Sequence, residues 1–330
     1  MRIGLVGDVM LGRLVNDHLR DAAPASVWGD VLPVLAQADV RFANLECVIA
    51  DGGTPRPGKV FHFRSDAKNV ACLEAAGIDV VSLANNHTLD YGGSAFREML
   101  PVLDAHGILH AGAGLDADAA RAPATARAVG MAVGIVAFTD NEPGWEATAT
   151  RPGIFYAPTD LADFRTRALV ELVRDTRSSV DLLVVSAHWG PNWGETVPAE
   201  HQVLAHSLVR AGADAIMGHS AHIFRGVEVY RGRPVIYSAG DFVDDYAIDP
   251  DERNDQSFVF LLETNGRVPA ALRLFPTLIE DFHVSLARTE ARAIAAKMQR
   301  LSAELGTEAR WLDAERCLEI SWPGTRSRPA

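Results

Sequence analysis

Clusters of Asp, Glu, Asn and His recur along the sequence, each directly after a short apolar run that is typical of a buried strand. The carboxyl ends of strands in an open α/β sheet form one edge, and ligands bind at that edge. We therefore expect these side chains to converge in space. In chain order the clusters are Gly7-Asp8-Val9-Met10, Asn44-Leu45-Glu46, Asn85-Asn86-His87 with Asp90, His188-Trp189-Gly190 and Gly218-His219-Ser220-Ala221-His222.

Carboxylate and amide oxygens combined with neutral imidazoles are ligands for divalent cations. A carboxylate shared by two cations, such as that of Glu46, would hold a metal pair that activates water or polarises an oxyanion. Each cluster alone has an ordinary explanation: a single His is usually packed or capping, Asp8 would cap a helix, and Asn85-Asn86 fits a turn. Their repetition at one topological place predicts one or two divalent cations, with Mn, Zn, Fe, Ca and Mg as alternatives.

The elements that must position these clusters alternate between strands and helices, which predicts a layered α/β fold. Helical patterns lie between the strands and end near a Gly or a polar turn. The predicted strands are Arg2–Val6, Val40–Ala43, Val80–Leu83, Ala132–Phe138, Leu182–Ala187 and Ala215–Met217, and the helices are Ala67–Ala76, Ser94–Ala105, Leu161–Arg174 and Ala199–Ala211.

The pattern changes from Val227 onwards, where successive short strands joined by turns favour an antiparallel portion or a second sheet. These strands are Val227–Tyr230, Pro234–Ser238, Ser257–Glu263 and Ala270–Phe275, and a last helix is predicted over Leu286–Leu305. No long linker divides the chain. We therefore predict a single domain over residues 1–322 and a flexible tail over residues 323–330.

Composition excludes several classes of function. The 330 residues carry 31 basic and 43 acidic side chains, a net charge of −12, which disfavours binding to nucleic acid or an anionic membrane surface. No apolar run is long enough to span a membrane, and the first residues enter a strand pattern without a signal peptide. Three widely spaced cysteines support neither a disulfide framework nor a thiolate zinc site. The expectation is a cytoplasmic protein.

Six stretches resemble, in order, the CapA-like poly-γ-glutamate capsule-synthesis family, a branch of the calcineurin-like metallophosphoesterases. They are GDVMLGR, ANLECVIA, VVSLANNHTLDYG, AHWG, GHSAH and VIYSAGDF, and the resemblance spans roughly residues 2 to 275. It implies a four-layer α/β/β/α sandwich in which two mixed sheets are flanked by helices.

The resemblance also implies roles for individual residues. It makes His87 the residue that acts as an acid or contacts the substrate. The chain departs from the family patterns at Met10, where the phosphoesterase motif has His, at Asn192 in place of Glu, and at Asp241 in place of Asn. One metal position is therefore expected to be weak or differently occupied. The implied metal ligands are Asp8, Glu46, Asn86, His188, His219 and His222.

Candidate catalytic and substrate-binding residues lie beside these ligands. Asp241 begins an acidic segment and serves either as part of a solvated loop or as a partner of a His ligand and proton acceptor, with Asp90 as the alternative acceptor. Candidate substrate contacts, each with a packing or ion-pairing alternative, are Arg64, Trp189, Trp193 and Arg225.

Three functions remain in view. The leading hypothesis is a metal-dependent enzyme that epimerises the C-terminal residue of a ribosomal, lasso-type peptide by abstracting its α-proton, as soluble relatives of the family do. The first alternative is a phosphoesterase or hydrolase. The second is a non-catalytic accessory protein of poly-γ-glutamate synthesis. A peptide is the expected partner, and the sequence does not determine the oligomeric state.

Overall fold

Twenty strands and eight α-helices alternate along residues 1–322, the part of the chain that this computed structural model describes. The predicted tail at 323–330 lies outside the described residues. The strands are β1 (Arg2–Val9), β2 (Val40–Leu45), β3 (Val48–Ile49), β4 (Arg64–Ser65), β5 (Val80–Ser82), β6 (Leu109–Ala111), β7 (Ala113–Gly114), β8 (Ala124–Ala128), β9 (Met131–Thr139), β10 (Gly153–Ile154), β11 (Leu182–His188), β12 (Ala215–His219), β13 (Val227–Tyr230), β14 (Arg233–Ile236), β15 (Asp241–Val243), β16 (Gln256–Asn265), β17 (Val268–Glu280), β18 (His283–Leu286), β19 (Arg310–Leu312) and β20 (Cys317–Ser321). The helices are α1 (Arg13–His18), α2 (Leu32–Leu35), α3 (Val70–Ala75), α4 (Gly92–Ala105), α5 (Ala117–Arg121), α6 (Phe164–Arg177), α7 (Ala199–Ala211) and α8 (Ala291–Glu304), with 3₁₀ turns at Pro24–Val31, Ala67–Asn69 and Pro143–Trp145.

Two mixed sheets hold most of these strands. The first has the order β19-β20-β17-β16-β1-β2-β5-β6, with β15 added beside β1 and β18 beside β17. The second has the order β13-β14-β12-β11-β9-β8. In both sheets parallel strands of the βα units adjoin antiparallel strands, such as β16 beside β1 and β8 beside β9. The mixed sheets and the second antiparallel portion confirm the fold class predicted from the sequence.

The apolar faces of the elements define four layers. Leu5 and Phe42 of the first sheet pack with Val184 of the second in one core between the sheets, and α8 adds its apolar face to this core. The helices cover the outer faces. Phe96 of α4 belongs to the core outside the first sheet, and Leu204 of α7 belongs to the core outside the second. This is the α/β/β/α sandwich that buries both faces of each sheet.

The first strand contains an irregularity that determines where its last residues point. Its register with β2 shifts between Leu5 and Asp8. Val6 and Val9 both belong to the outer core, although a regular strand places residues three apart on opposite faces. Irregularities of this kind redirect side chains beside functional sites. Here the result is that Asp8 contacts His219 of the second sheet.

The structure differs from the sequence prediction mainly at element ends. The last helix begins at Ala291, not at Leu286, because residues 283–286 pair with β17 and form the short strand β18. The predicted helix over 67–76 opens with a 3₁₀ turn before α3. Several short elements were not predicted, namely strands β3, β4, β6, β7, β8, β10, β15, β18, β19 and β20 and helices α1, α2 and α5. None of the helices in residues 1–322 combines the length and apolar character that a membrane span requires.

Gly7 allows β1 to approach the segment before β15. A Cβ atom at this position would lie 2.0 Å from the carbonyl oxygen of Gly240. We expect Gly7→Ala to lower the free energy of unfolding by roughly 1–3 kcal/mol, because the backbone must move to relieve the contact. Urea unfolding would measure the change.

Gly144→Ala is the matched control for this substitution. Nothing lies within 4 Å of a Cβ at Gly144, so its unfolding midpoint should remain close to that of the wild type. Equal stability of the two variants would contradict the tight approach of β1 to Gly240.

Candidate metal centre

Three side chains from different strands form the core of the predicted site. Asp8 is on β1, Glu46 directly follows β2, and His188 ends β11. Each offers one ligand atom, and these atoms lie within 4.8 Å of one another. All three residues are at most 2% exposed. This compact set of two carboxylates and an imidazole is consistent with a divalent metal site.

Asn86 and His219 extend the set. The Oδ1 atom of Asn86 lies 3.0 Å from Nε2 of His188, and Nδ1 of His219 lies 2.8 Å from Oδ1 of Asp8. Among the described residues, neither Oδ2 of Asp8 nor Nε2 of His219 has a hydrogen-bond partner, although both are buried. Buried polar atoms are almost always paired. These two unpaired atoms are therefore available as ligands for a cation.

Two asparagines that were not predicted as site residues support the first ligands. Asn44 donates from Nδ2 to Oδ1 of Asp8 at 2.8 Å, and this amide nitrogen is 3.4 Å from Nδ1 of His188. Asn85 donates to Oδ1 of Asn44 at 3.0 Å and accepts from the backbone N–H of His87. Both belong to the motif clusters. Their position beside a predicted ligand was the signal for a supporting role.

Asp241 and His222 form a second part of the site. Asp241 begins β15 and is in register with Asp8 on the neighbouring β1. Its Oδ1 atom lies 3.1 Å from Nδ1 of His222, whose Nε2 is 3.3 Å from the Asn192 amide. Asp241 is 1% exposed, and its Oδ2 has no partner among residues 1–322. The structure therefore places Asp241 in contact with His222, one of the residues predicted as ligands.

The electrostatics of the site are dominated by the crowding of its buried carboxyl groups. Burial, reinforced by the charge of Asp8, raises the pKa of Glu46 well above its usual value. Burial and the neighbouring Asp244 and Asp8 carboxylates likewise raise the pKa of Asp241. Burial lowers the pKa of His188 to about 3, so its imidazole is neutral and able to ligate. Crowded carboxylates beside neutral imidazoles fit a divalent cation, because it would offset their mutual repulsion.

His87 lies beside the ligands in a buried pair with Asp90. Its Nδ1 is 2.6 Å from Oδ2 of Asp90, its Nε2 is 3.8 Å from Oε1 of Glu46, and its ring stacks on Phe63 at 3.8 Å. Burial lowers the pKa of His87 to about 4. Asp90 thus orients the imidazole with one nitrogen toward the metal edge, an arrangement suited to proton transfer.

Lys59 is a residue of this site that the sequence analysis missed. Its ammonium group donates to Oδ1 of Asp90 at 2.5 Å and to the carbonyl of Asn86, and it lies 3.3 Å from Nδ1 of His87. The signal was its rarity, since the sequence contains only three lysines. Lys59 offsets the negative charge of Asp90 and anchors the loop before β4 to the motif that contains Asn86 and His87.

Met10 stands where the phosphoesterase motif has His, and its side chain is bound within the fold. Its Sδ atom accepts a hydrogen bond from the backbone N–H of Gly12 at 3.1 Å, and the residue is 1% exposed. The thioether is therefore engaged within its own turn.

Trp189 of the fourth cluster and Trp193, which follows that cluster, differ in environment. Trp189 is completely buried, stacks on His201 at 4.7 Å and donates from Nε1 to the carbonyl of Tyr237. Trp189 is therefore a packing residue, which was one of its two predicted roles, and it does not line the cavity. Trp193 is 44% exposed and lies 5.3 Å from His222, so it does line the site.

The two candidate arginine contacts are engaged elsewhere. Arg225 is fully buried and donates to the carbonyl oxygens of Pro191, Trp193 and Gly194. It holds the loop that carries Trp193 and is a positioning residue. Arg64 donates to the carbonyl of Gly52 and stacks on the Tyr91 ring. Neither predicted contact with a substrate is supported by these positions, because neither side chain belongs to the lining of the cavity beside the metal cluster.

A cavity of about 600 Å³ opens onto the ligands, a volume typical of a small-molecule or peptide site. Its lining is mixed, with polar groups and large aromatic side chains. Residues of this lining include Glu46, Asn86, His87, His222, Trp193 and Tyr246, together with the cationic Arg13 and Lys59.

Comparison with known proteins identifies a family and several relatives that match most of this chain. Residues 2–246 match the family described as Bacterial capsule synthesis protein PGA_cap. A probable polyglutamine synthesis accessory protein from Mycobacterium tuberculosis is 33% identical over 93% of this chain and 88% of its own length. The PGA biosynthesis protein CapA of Bacillus subtilis is 27% identical over 73% of this chain and 62% of its own length.

A solved structure supports the fold independently of these sequences. A hypothetical protein from Thermus thermophilus aligns with a TM-score of 0.51 at 17% identity, covering 84% of this chain and 98% of that protein. At this identity the likeness concerns the fold alone.

The contrasting environments of the two tryptophans predict different effects of their removal. We expect Trp189→Ala to lower the free energy of unfolding by about 3–5 kcal/mol, because it empties a packed site. Trp193→Ala should change it by no more than about 0.5 kcal/mol. Chemical denaturation of both variants checks this expectation, and a large loss for Trp193→Ala would contradict its placement at the cavity.

Metal binding should stabilise the fold through Asp8. We expect Mn²⁺ at about a hundred times its dissociation constant to raise the free energy of unfolding by about 2.7 kcal/mol. Asp8→Asn should abolish most of this gain, because it removes the buried carboxylate charge. Thermal denaturation with and without Mn²⁺ measures the effect.

Asp118→Asn serves as the control for Asp8→Asn, since Asp118 is exposed on α5 and distant in sequence from every predicted ligand. It should keep the full response to Mn²⁺. An unchanged response in Asp8→Asn, or no response in the wild type, would refute the metal centre.

Proposed function

The chain belongs to the bacterial capsule synthesis protein family PGA_cap, and on that premise we propose that it is a metal-dependent accessory protein in the synthesis of a glutamate polymer. The metal centre binds carboxylates of the growing or completed chain at the edge of the two sheets. An amino-acid polymer linked by amide bonds is thus the proposed partner.

The cluster of Asp8, Glu46 and His188, which reaches the cavity lining through Glu46, is the observation that supports this proposal most directly. A protein with a net charge of −12 repels a polyanion in solution. A divalent cation in the cluster would offset the charges of Asp8 and Glu46, which otherwise repel a polyanion. Carboxylates of the polymer are themselves good ligands for such a cation.

The relatives favour the accessory function over the leading expectation from the sequence. The Mycobacterium tuberculosis relative is named a synthesis accessory protein, and the Bacillus subtilis relative is named for biosynthesis of the polymer. Neither name indicates epimerisation of a peptide. Peptide epimerisation therefore lacks support from the comparisons, and the alternative stated with it fits better.

Hydrolysis or transfer at the same site is a second candidate, which the His87–Asp90 pair favours. A divalent cation, when bound, polarises an oxyanion or an attacking water. Asp90 holds the His87 ring so that Nε2 faces the metal edge, and Lys59 fixes Asp90 in turn. His87 is then able to give a proton to a leaving group or to take one from the bound ligand.

Binding of a defined polymer tests the proposed function. We expect a γ-linked glutamate hexamer to bind the Mn²⁺-loaded protein in isothermal titration calorimetry. Treatment with EDTA should abolish the binding, because the cation supplies the attraction. The Asp8→Asn variant should fail to bind, and Asp118→Asn should bind as the wild type does. Binding that persists equally in EDTA and in Asp8→Asn would refute a metal-dependent function.

Catalysis is tested on the same samples. The hexamer and p-nitrophenyl phosphate are incubated with the Mn²⁺-loaded protein in deuterated buffer and analysed by mass spectrometry. Binding without cleavage, phosphate release or deuterium uptake is the outcome expected of an accessory protein. Cleavage or phosphate release that His87→Ala abolishes would establish the second candidate, and deuterium at an α-carbon would restore epimerisation.

A further inference from the structure

Arg13 is a cationic side chain of the cavity whose terminal amino groups are not used within the fold. It begins α1 and has 36% of its side chain exposed. Its Nε atom pairs with Oδ2 of Asp245 at 3.2 Å. Among the described residues, no hydrogen bond engages its two terminal amino groups. Lys59, the other cation in the lining, is committed to Asp90 and to the carbonyl of Asn86.

The guanidinium group of Arg13 is held in place before any ligand arrives. The side chain of Asp245 is fully buried, and its Oδ2 also accepts from the backbone N–H of Leu14 at 2.9 Å. The guanidinium carbon lies 5.7 Å from the centre of the Phe61 ring and 5.8 Å from that of Phe63. A guanidinium fixed on one edge by a carboxylate and on its face by aromatic rings presents its remaining edge as a pre-organised fork.

The backbone of Arg13 supports a functional reason for this arrangement. Its φ angle is 52°, in the left-handed region that residues other than Gly, Asn and Asp seldom adopt. Strain of this kind persists where the surrounding structure imposes it, and it concentrates at functional sites. The turn between Met10 and Leu14 thus directs Arg13 toward the cavity, close in sequence to the ligand Asp8.

We propose that Arg13 is a specificity-determining residue that binds a carboxylate of the polymer bidentately, while the metal centre binds another carboxylate of the same chain. This inference rests on the proposed function and assigns a second anchoring point to it. The planar fork of Arg matches a carboxylate in a way that Lys does not. The exposed ring of Phe61 and the ring of Trp193 offer apolar surface to the methylene groups between the anchoring points.

Guanidinium groups bind phosphate with the same fork. We assign the carboxylate because the proposed polymer presents carboxylates at regular intervals, so that one chain is able to supply one carboxylate to the metal centre and another to Arg13 on the same cavity.

The test compares binding to the Mn²⁺-loaded protein of a γ-linked glutamate hexamer, the same hexamer with its free carboxylates converted to carboxamides, and inorganic phosphate. The wild type should prefer the carboxylate form. Arg13→Gln should weaken binding of that form roughly ten- to hundredfold, the value of a bidentate charged pair. Arg13→Lys should recover only part of the loss. Gln and Lys adopt this φ angle at the same energetic cost as Arg, so we expect both variants to keep the turn.

Arg20→Gln is the matched control, because it removes one positive charge from an exposed pair with Asp17 outside the cavity lining. It should bind the hexamer as the wild type does, and Mn²⁺ should stabilise all four proteins equally. Full affinity of Arg13→Gln would overturn the inference and leave the proposed function intact. Equal affinity of the wild type for the carboxamide form, or an Arg13-dependent preference for phosphate over the hexamer, would overturn the inference as well. Failure of the wild type to bind the hexamer would overturn both.

Discussion

Repulsion among buried carboxylates is the constraint on which the rest of this structure depends. The pairing of β1 with β2 and β15 brings Asp8, Glu46 and Asp241 to one edge of the first sheet. Burial and the neighbouring carboxylates raise the pKa values of Glu46 and Asp241, which makes their charged forms costly. The pKa of Asp8 is lowered in spite of its burial, because His219 of the second sheet hydrogen-bonds to it. The two sheets therefore meet at a site with a deficit of positive charge, because its buried carboxylates outnumber its cationic side chains.

The residues that compensate this deficit come from outside the sheets. Lys59 belongs to the loop before β4, and Arg13 begins the first helix. Both contact a buried carboxylate of the site region, Asp90 and Asp245 respectively. The strands thus supply anionic and neutral ligands, whereas the connections between elements supply the cations. In the function proposed above, substrate recognition and metal binding therefore fall to different parts of the chain, although they share a cavity.

The convergence of the polar clusters was predictable from strand periodicity, whereas the roles of individual residues were implied by the family resemblance. Short apolar runs ending in Asp8, His188 and His219 predicted strands whose carboxyl ends meet, and the structure places these three side chains together. Contacts that depend on tertiary packing were not predictable. The burial of Trp189 against His201, and the use of Arg225 to bind backbone carbonyls, arise from the path of loops. Strand β18 was not predicted, and its last residue, Leu286, was placed in the following helix, because pairing with β17 is a long-range property that the local pattern does not contain.

Arg225 has a consequence for how this cavity changes over evolution. It fixes the loop of residues 191–194 through three carbonyl oxygens, and every amino acid possesses a carbonyl. The side chains of that loop are consequently free to vary without loss of its anchor. A family built on this fold is able to replace the Trp193 wall, and with it the ligand it accepts, while the metal-binding edge remains the same.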